Sequence, residues 1–299
     1  MANVLLLRSP SSEEPDKYES ALQSRGYSAV SVAVLETVLV NTSGLEDIVG
    51  KGPEDGRLGG VIITSARACE SWRNVVLQLM STPGISGDWS QIPFYVVGAA
   101  TATALADIRK VAGSSRLAPQ NIRGGSESGT SEKLAHFILQ DFPSTNGPQR
   151  LLYLTGDKNR DTLPSFLNGG GIDLQSLKVY ETQGSSTFAS DLQTILSSVR
   201  SGFEDWWIVF FAPSAADFVA PILRRHFTIP EVDSPPTATR IAAIGPTTST
   251  FLRDKLRMRV DVLSRKPLPE ALADGIEEFD RGNSGRDHNA GYAAKARCE

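Results

Sequence analysis

Apolar and polar positions follow one repeating order along this chain: a short, nearly unbroken apolar run, then a longer mixed segment of helical period. VLLLR is followed by the helix-like EEPDKYESALQSRG, closing at Gly26, and then by AVSVAVLET; GGVIITS leads into ARACESWRNVVLQLM, and PFYVVG into ATATALADIRKVAG. The later part keeps the order through LLYLTG, LPSFLNGGG, LQSLKVYET, WWIVFFAPSAADFVAPILRR, RIAAIGPTTSTFLRD and ALADGIEEFD. Strands that are apolar throughout, rather than at every second position, are buried on both faces. The pattern therefore predicts parallel sheet with helices on both sides. Turn-forming residues make 81–91 and 114–131 surface loops, and the polar tail 281–299 reads as disordered.

The pattern is also written twice. VVGAATATALAD, starting at Val96, is echoed by AAIGPTTSTFLRD, starting at Ala242. At nearly the same offset VLLLRS answers LLYLTG, ITSARA answers FAPSAA, and SVAVLET answers QSLKVYET. Self-similarity on this scale means two copies of one α/β unit.

Composition narrows the picture modestly. A chain of 299 residues with 40% hydrophobic and 21% charged content has the make-up of about two globular domains. A net charge of −4 offers no basic surface for nucleic acid, and an anionic ligand would need a locally positive cleft. Cys69 and Cys298 are too few for a disulfide framework, and the opening MANVLLLRSP is broken by Arg8 and Pro10, unlike a signal peptide. The expectation is a soluble, cytoplasmic protein of a reducing compartment with no membrane association.

In open α/β sheets, ligands sit at the carboxyl ends of the strands, where helix N-termini present free backbone N–H groups. The duplicated stretches fall at such junctions: Thr64 and Ser65, Gly98 to Thr101, Thr155 and Gly156, Pro213 and Ser214, Gly245 to Thr248. Hydroxyls there either cap the helix or bind a ligand's carboxylates, and duplication copies caps as readily as ligands. Other signatures are missing. His136, His226 and His288 have no metal-ligand spacing, no GxGxxG is present, and GGSESGTSEK lacks the ending of a phosphate loop and reads as a flexible loop. GDKNRD offers Lys158 and Arg160 beside a helix start, as solvated charge or as an anion contact.

TSARA after a strand, VVGAATA, LKVYET and IAAIGPTTS, in this order and spacing, resemble the uroporphyrinogen-III synthase family over about Val4 to Ile276. The long loops and tail are closer to fungal members. The resemblance implies two flavodoxin-like (Rossmann-like) α/β parallel-sheet domains from an internal duplication, joined by a two-stranded linker, with the active site in the cleft between them. Domain one would be 1–37 plus 183–280 and domain two 38–177. The implied reaction cyclises linear hydroxymethylbilane to uroporphyrinogen III, with loss of water and inversion of ring D through a spiro-pyrrolenine, without cofactor or metal. The implied setting is a monomer in transient contact with hydroxymethylbilane synthase. Carried over residue by residue, the resemblance makes Tyr180 of LKVYET the proton donor. Thr101, Ser214, Thr247 and Thr248 become substrate contacts, as do Ser65, Thr155 and Gly156 at the equivalent strand ends. Ala212 stands where many relatives have a serine, and the repeat partner of Tyr180 is Leu35.

Two rivals belong to other classes. A non-catalytic tetrapyrrole-binding or regulatory protein would bind tetrapyrrole without turning bilane over. A nucleotide or sugar transferase is disfavoured by the lack of a phosphate loop and would reveal itself by nucleotide-dependent thermal stabilisation.

Overall fold

The computed structural model describes residues 2–11, 14–142, 150–159, 161–198, 205–235 and 237–295, with side chains as far as Asn283. The chain opens with β1 (Asn3–Leu7), α1 (Lys17–Gln23) and β2 (Ser28–Val32), then enters β3 (Leu35–Leu39). A middle section follows: α2 (Thr42–Lys51), β4 (Leu58–Ile63), α3 (Ala66–Leu79), β5 (Pro93–Val96), α4 (Gly98–Ala106), α5 (Ile108–Ala112), β6 (Asn121–Arg123), α6 (Ser131–Asp141), β7 (Arg150–Thr155), α7 (Thr162–Gly169) and β8 (Asp173–Lys178). After β9 (Tyr180–Gly184) come α8 (Phe188–Ser198), β10 (Trp206–Phe210), α9 (Pro213–Leu223), β11 (Thr239–Ala243), α10 (Pro246–Asp254), β12 (Val262–Leu263) and α11 (Pro269–Lys295). The chain divides into two compact units, one made of Met1–Glu36 and Gln183–Glu299, the other of Thr37–Thr182. Strands β3 and β9 pair with each other in a two-stranded sheet and carry the chain from one unit to the other and back.

In the first unit the sheet order is β2-β1-β10-β11-β12 and every pairing is parallel. The apolar runs explain this. Leu5 and Leu7 of β1 join Ile208, Phe210, Val219 and Leu223 in one core, while Val4 and Leu6 face Trp207, Val209, Leu272 and Ile276 on the other side. Each such side chain, fully buried, contributes about 1.5–3 kcal/mol. The second unit repeats the arrangement with order β8-β7-β4-β5-β6, again all parallel. Val61 and Ile63 of β4 pack with Trp72, Val76 and Phe94, and Ile62 with Leu134, Ile138 and Leu163.

The echoes now match strand for strand. β7 and β8 occupy in the second sheet the places of β1 and β2 in the first, and β4, β5 and β6 those of β10, β11 and β12. Each unit is thus assembled from the opening of one copy and the close of the other. Both sheets reverse their strand order beside the opening strand, between β1 and β10 or between β7 and β4. That is the usual position of a ligand crevice in such folds.

Several expectations from the sequence need correction. AVSVAVLET and LQSLKVYET each read as one strand, but both are broken: β2 and β8 pair within their sheets, and β3 and β9 leave to pair with each other. The loop 114–131 contains β6, an edge strand too short to show a period. The loop 81–91 carries Trp89, fully buried, edge-on to Trp72 and with its indole N–H bonded to the carbonyl of Val49. The tail from Arg281 continues α11 as far as Lys295, and 296–299 lie outside the described residues.

Each unit also ties down the helix that follows one edge strand of its sheet, β12 in the first and β6 in the second. In the first, Asp280 of α11 accepts from the hydroxyl of Tyr27 at 2.8 Å and the indole N–H of Trp207 at 3.1 Å, and pairs with Arg240. In the second, Asp141 of α6 accepts from the hydroxyl of Tyr95 at 2.9 Å and pairs with Arg123 at 2.6 Å. Burial and the adjacent carboxylate raise both phenols, so these tyrosines act as hydrogen-bond donors.

Candidate active site

Because each sheet is parallel, the junctions carrying the duplicated hydroxyls lie together at the carboxyl edge of their own sheet. In the second unit, Ser65 N-caps α3, its side chain accepting from the N–H of Ala68 at 3.2 Å. Capping uses this oxygen as an acceptor and leaves its O–H free to donate. At the start of α4 the N-cap is Val97, without a side-chain cap. Gly98 takes φ +74°, a conformation costly for other residues, and donates its N–H to the carbonyl of Ser128 at 2.8 Å. Thr101, buried, sits one turn into α4. The stretch GGSESGTSEK is not loose: Ser128 is buried and its hydroxyl meets the carbonyls of Val96 and Gly124. At the end of β7, Thr155 and Gly156 are both buried, and the N–H of Gly156 points to Oδ1 of Asn159 at 3.4 Å. Lys158 is exposed, and Arg160 lies outside the described residues.

In the first unit, α9 is preceded by Ala212 and α10 by Gly245, neither of which caps with a side chain. Ser214 and Thr247 are exposed in the first turns of these helices, and Thr248 is buried. β10 and β11 are adjacent, which brings the two helix starts side by side. Helices α4, α9 and α10 therefore present first-turn N–H groups that no side-chain cap occupies, beside hydroxyls, and such helix starts attract anions.

Tyr180 opens β9 and is half-buried in the second unit. Its backbone is held close to the end of β7, since Val179 donates its N–H to the carbonyl of Thr155 at 2.9 Å. Its ring lies against Gly156: a Cβ there would overlap Cε2 and Cζ and fall 2.8 Å from the hydroxyl oxygen. The guanidinium of Arg67 stands over the same ring, 5.9 Å from its centre. Next to them Tyr153, buried on β7, shares a hydrogen bond with Thr64; burial raises this phenol, and the neighbouring Tyr180 adds to the effect. The structure thus brings Thr155, Gly156 and Tyr180 together in one unit, with Ser65 and Thr101 at neighbouring strand ends. Ser214, Thr247 and Thr248 belong to the other unit.

Arg67 and Tyr153 were not picked out from the sequence. Arg67 did leave a signal, a cation in the first turn of a helix, where the dipole disfavours positive charge. Cys69 offers no nucleophile, because burial pushes its thiol up to about 12. Among the described residues no cluster of His, Cys, Asp and Glu could hold a metal ion, and no helix is long and apolar enough to cross a membrane.

Two copies of a parallel α/β sheet, each with uncapped helix starts and hydroxyls at its carboxyl edge and one with a phenol beside them, define a duplicated α/β protein. The family model described as "Uroporphyrinogen-III synthase HemD" matches residues 16–274, and the chain belongs to that family. Among curated relatives, the uroporphyrinogen-III synthase of Saccharomyces cerevisiae is 28% identical over 89% of this chain and 92% of its own length. That of Schizosaccharomyces pombe is 28% identical over 95% of this chain and 100% of its own. A solved uroporphyrinogen-III synthetase from Helicobacter pylori covers 92% of this chain and 97% of its own at 16% identity, with a TM-score of 0.44.

Proposed function

We propose that this chain cyclises linear hydroxymethylbilane to uroporphyrinogen III, eliminating water and inverting ring D. The observation that carries the proposal is family membership across residues 16–274, nearly the whole described chain. The chemistry needs no redox partner, because loss of water and closure of a carbon–carbon bond leave the overall oxidation state unchanged. The hydroxyl of ring A's hydroxymethyl group leaves as water, and the methylene carbon of the resulting azafulvene is attacked by the substituted α-carbon of ring D. The spiro-pyrrolenine so formed fragments and recloses with the ring turned over. Unguided, the same electrophile closes at the unsubstituted end to give the type I isomer. The protein's work is therefore chiefly orientation.

In this reading Tyr180 donates a proton to the departing hydroxyl, and the phenolate recovers one when the closed ring regains aromaticity. Acetate and propionate groups on the bilane are bound by the helix starts and hydroxyls of Ser65, Thr101, Thr155, Ser214, Thr247 and Thr248, with Gly156 at the end of β7. Small residues at these positions leave room for a macrocycle. The reading includes a monomer in the cytoplasm, in transient contact with the synthase that supplies its substrate.

The test is to generate hydroxymethylbilane in situ, add the protein, oxidise the products and separate the uroporphyrin isomers by chromatography. Predominantly type III supports the proposal. Type I alone from a folded sample overturns it.

A further inference from the structure

We infer that Gly156 is a positioning residue for Tyr180: it keeps empty the space in which the tyrosine ring lies, and so sets where the phenol hydroxyl points. The inference rests on the proposed role of Tyr180 and adds to the backbone contact proposed for Gly156, which an alanine would keep.

Backbone conformation does not call for glycine at this position, since Gly156 is not among the residues with positive φ. Space does. A Cβ on Gly156 would overlap Cε2 and Cζ of Tyr180 and come within 2.8 Å of its hydroxyl oxygen, closer than non-bonded carbon and oxygen settle. Neither backbone is free to retreat. Thr155 is in register with Lys178 in the β7–β8 pair, and its carbonyl accepts from the N–H of Val179, the fully buried residue before Tyr180. A methyl group at Gly156 would thus be relieved mainly by rotating the ring, which displaces the hydroxyl and the face under Arg67.

The duplication supplies an independent observation. The repeat partner of Tyr180 is Leu35, and the repeat partner of Gly156 is Ser9. The copy without the phenol is also the copy without the glycine.

The experiment compares Gly156→Ala, Tyr180→Phe and the double variant, measuring kcat and KM for bilane turnover together with urea unfolding midpoints. Gly156→Ala should lower kcat by about 10²-fold, the cost of a misplacement of about 1 Å, with KM unchanged. The double variant should be no slower than Tyr180→Phe, because phenylalanine has no hydroxyl left to misplace. A raised KM at unchanged kcat, or a double variant slower by the product of the single effects, would overturn the inference. Should Gly156→Ala fail to fold, Gly156→Ala with Tyr180→Ala decides: recovered folding supports the seat, and continued failure overturns it. If the unmodified protein yields only type I isomer, the functional reading fails on its own. The seat is then judged by midpoints: a loss in Gly156→Ala that disappears with Tyr180→Ala supports it, and one that persists overturns it.

Discussion

At its switch point the first unit follows its opening strand, which ends at Leu7, with Arg8 and Ser9, whereas in the second the equivalent strand runs on to Thr155 and is followed by Gly156. The surroundings diverge accordingly. Arg8 reaches Asp16 at 2.7 Å and lies against the rings of Tyr18 and Phe211, a closed arrangement that fixes the loop into α1. At Gly156 the space is instead taken by Tyr180. The anchors of the closing helices differ in another way. Both use an aspartate on the helix after the equivalent edge strand, β12 or β6, but its tyrosine and arginine come from non-equivalent places, Tyr27 and Arg240 in one unit and Tyr95 and Arg123 in the other. Duplication has preserved strand order and buried apolar faces, which packing enforces, while polar groups at strand ends were free to change.

The comparison can be broken most forcefully in the cores. Trp72→Ala should cost about 3–5 kcal/mol in the second unit. Fluorescence of Trp206 and Trp207 reports on the first unit and Trp89 on the second, so urea unfolding read at each shows whether the units melt separately; equal shifts would mean that they unfold as one.

Next comes the phenol. Tyr180→Phe should reduce turnover by about 10²-fold while leaving the unfolding midpoint nearly unchanged. Adding Leu35→Tyr should not restore the rate, because that copy lacks the glycine seat; rescue would show that the two copies are interchangeable.

The third test uses pH. Burial pushes the carboxyl of Asp16 up, but hydrogen bonds from Arg8 and from the N–H groups of Ser11 and Glu19 outweigh it and bring the pKa down to about 2. A group depressed in the folded state contributes stability above its unfolded value, near 4, and loses it as pH falls from there toward about 2. The first unit should lose up to about 2 kcal/mol across that window. Asp16→Asn should flatten the dependence, as measured by Trp206 and Trp207 fluorescence in urea at stepped pH. A flat profile in the unaltered protein would contradict the assignment.

The smallest effect concerns caps. Ser65→Ala should cost about 1 kcal/mol, and Ala212→Ser, at the corresponding but uncapped helix start, should gain a similar amount. Thermal unfolding of the pair checks both signs.

The parallel character of both sheets was legible in the sequence because runs such as VLLL and WWIVF are apolar at every position. The echoes showed two copies, but exchange between them was implied only by the family resemblance, since an apolar run does not say which strand it will pair with. The hydroxyl-bearing helix starts were also visible, but whether each residue capped its helix depended on a position one residue earlier or later, as Ser65 and Ala212 show. The seat of Tyr180 was not visible, because Gly156, Arg67 and Tyr180 come from separate stretches and meet only once β4, β7 and β9 are in place. Ser128 misled through its composition: a residue from a Gly- and Ser-rich stretch turned out to be buried, bonding backbone carbonyls rather than water.

The exchange of halves imposes an order on synthesis. All of 37–182 has been synthesised before Trp206, the partner of Asn3 in the β1–β10 register, is added. The second unit is complete in one continuous stretch, whereas β1 must wait with one of its edges unpaired until β10 arrives. During that interval NVLLL is an apolar strand edge of the kind that seeks other chains. A ribosome stalled just past residue 182 would therefore carry one unit with its whole sequence available and, at its leading end, the segment most in need of a chaperone.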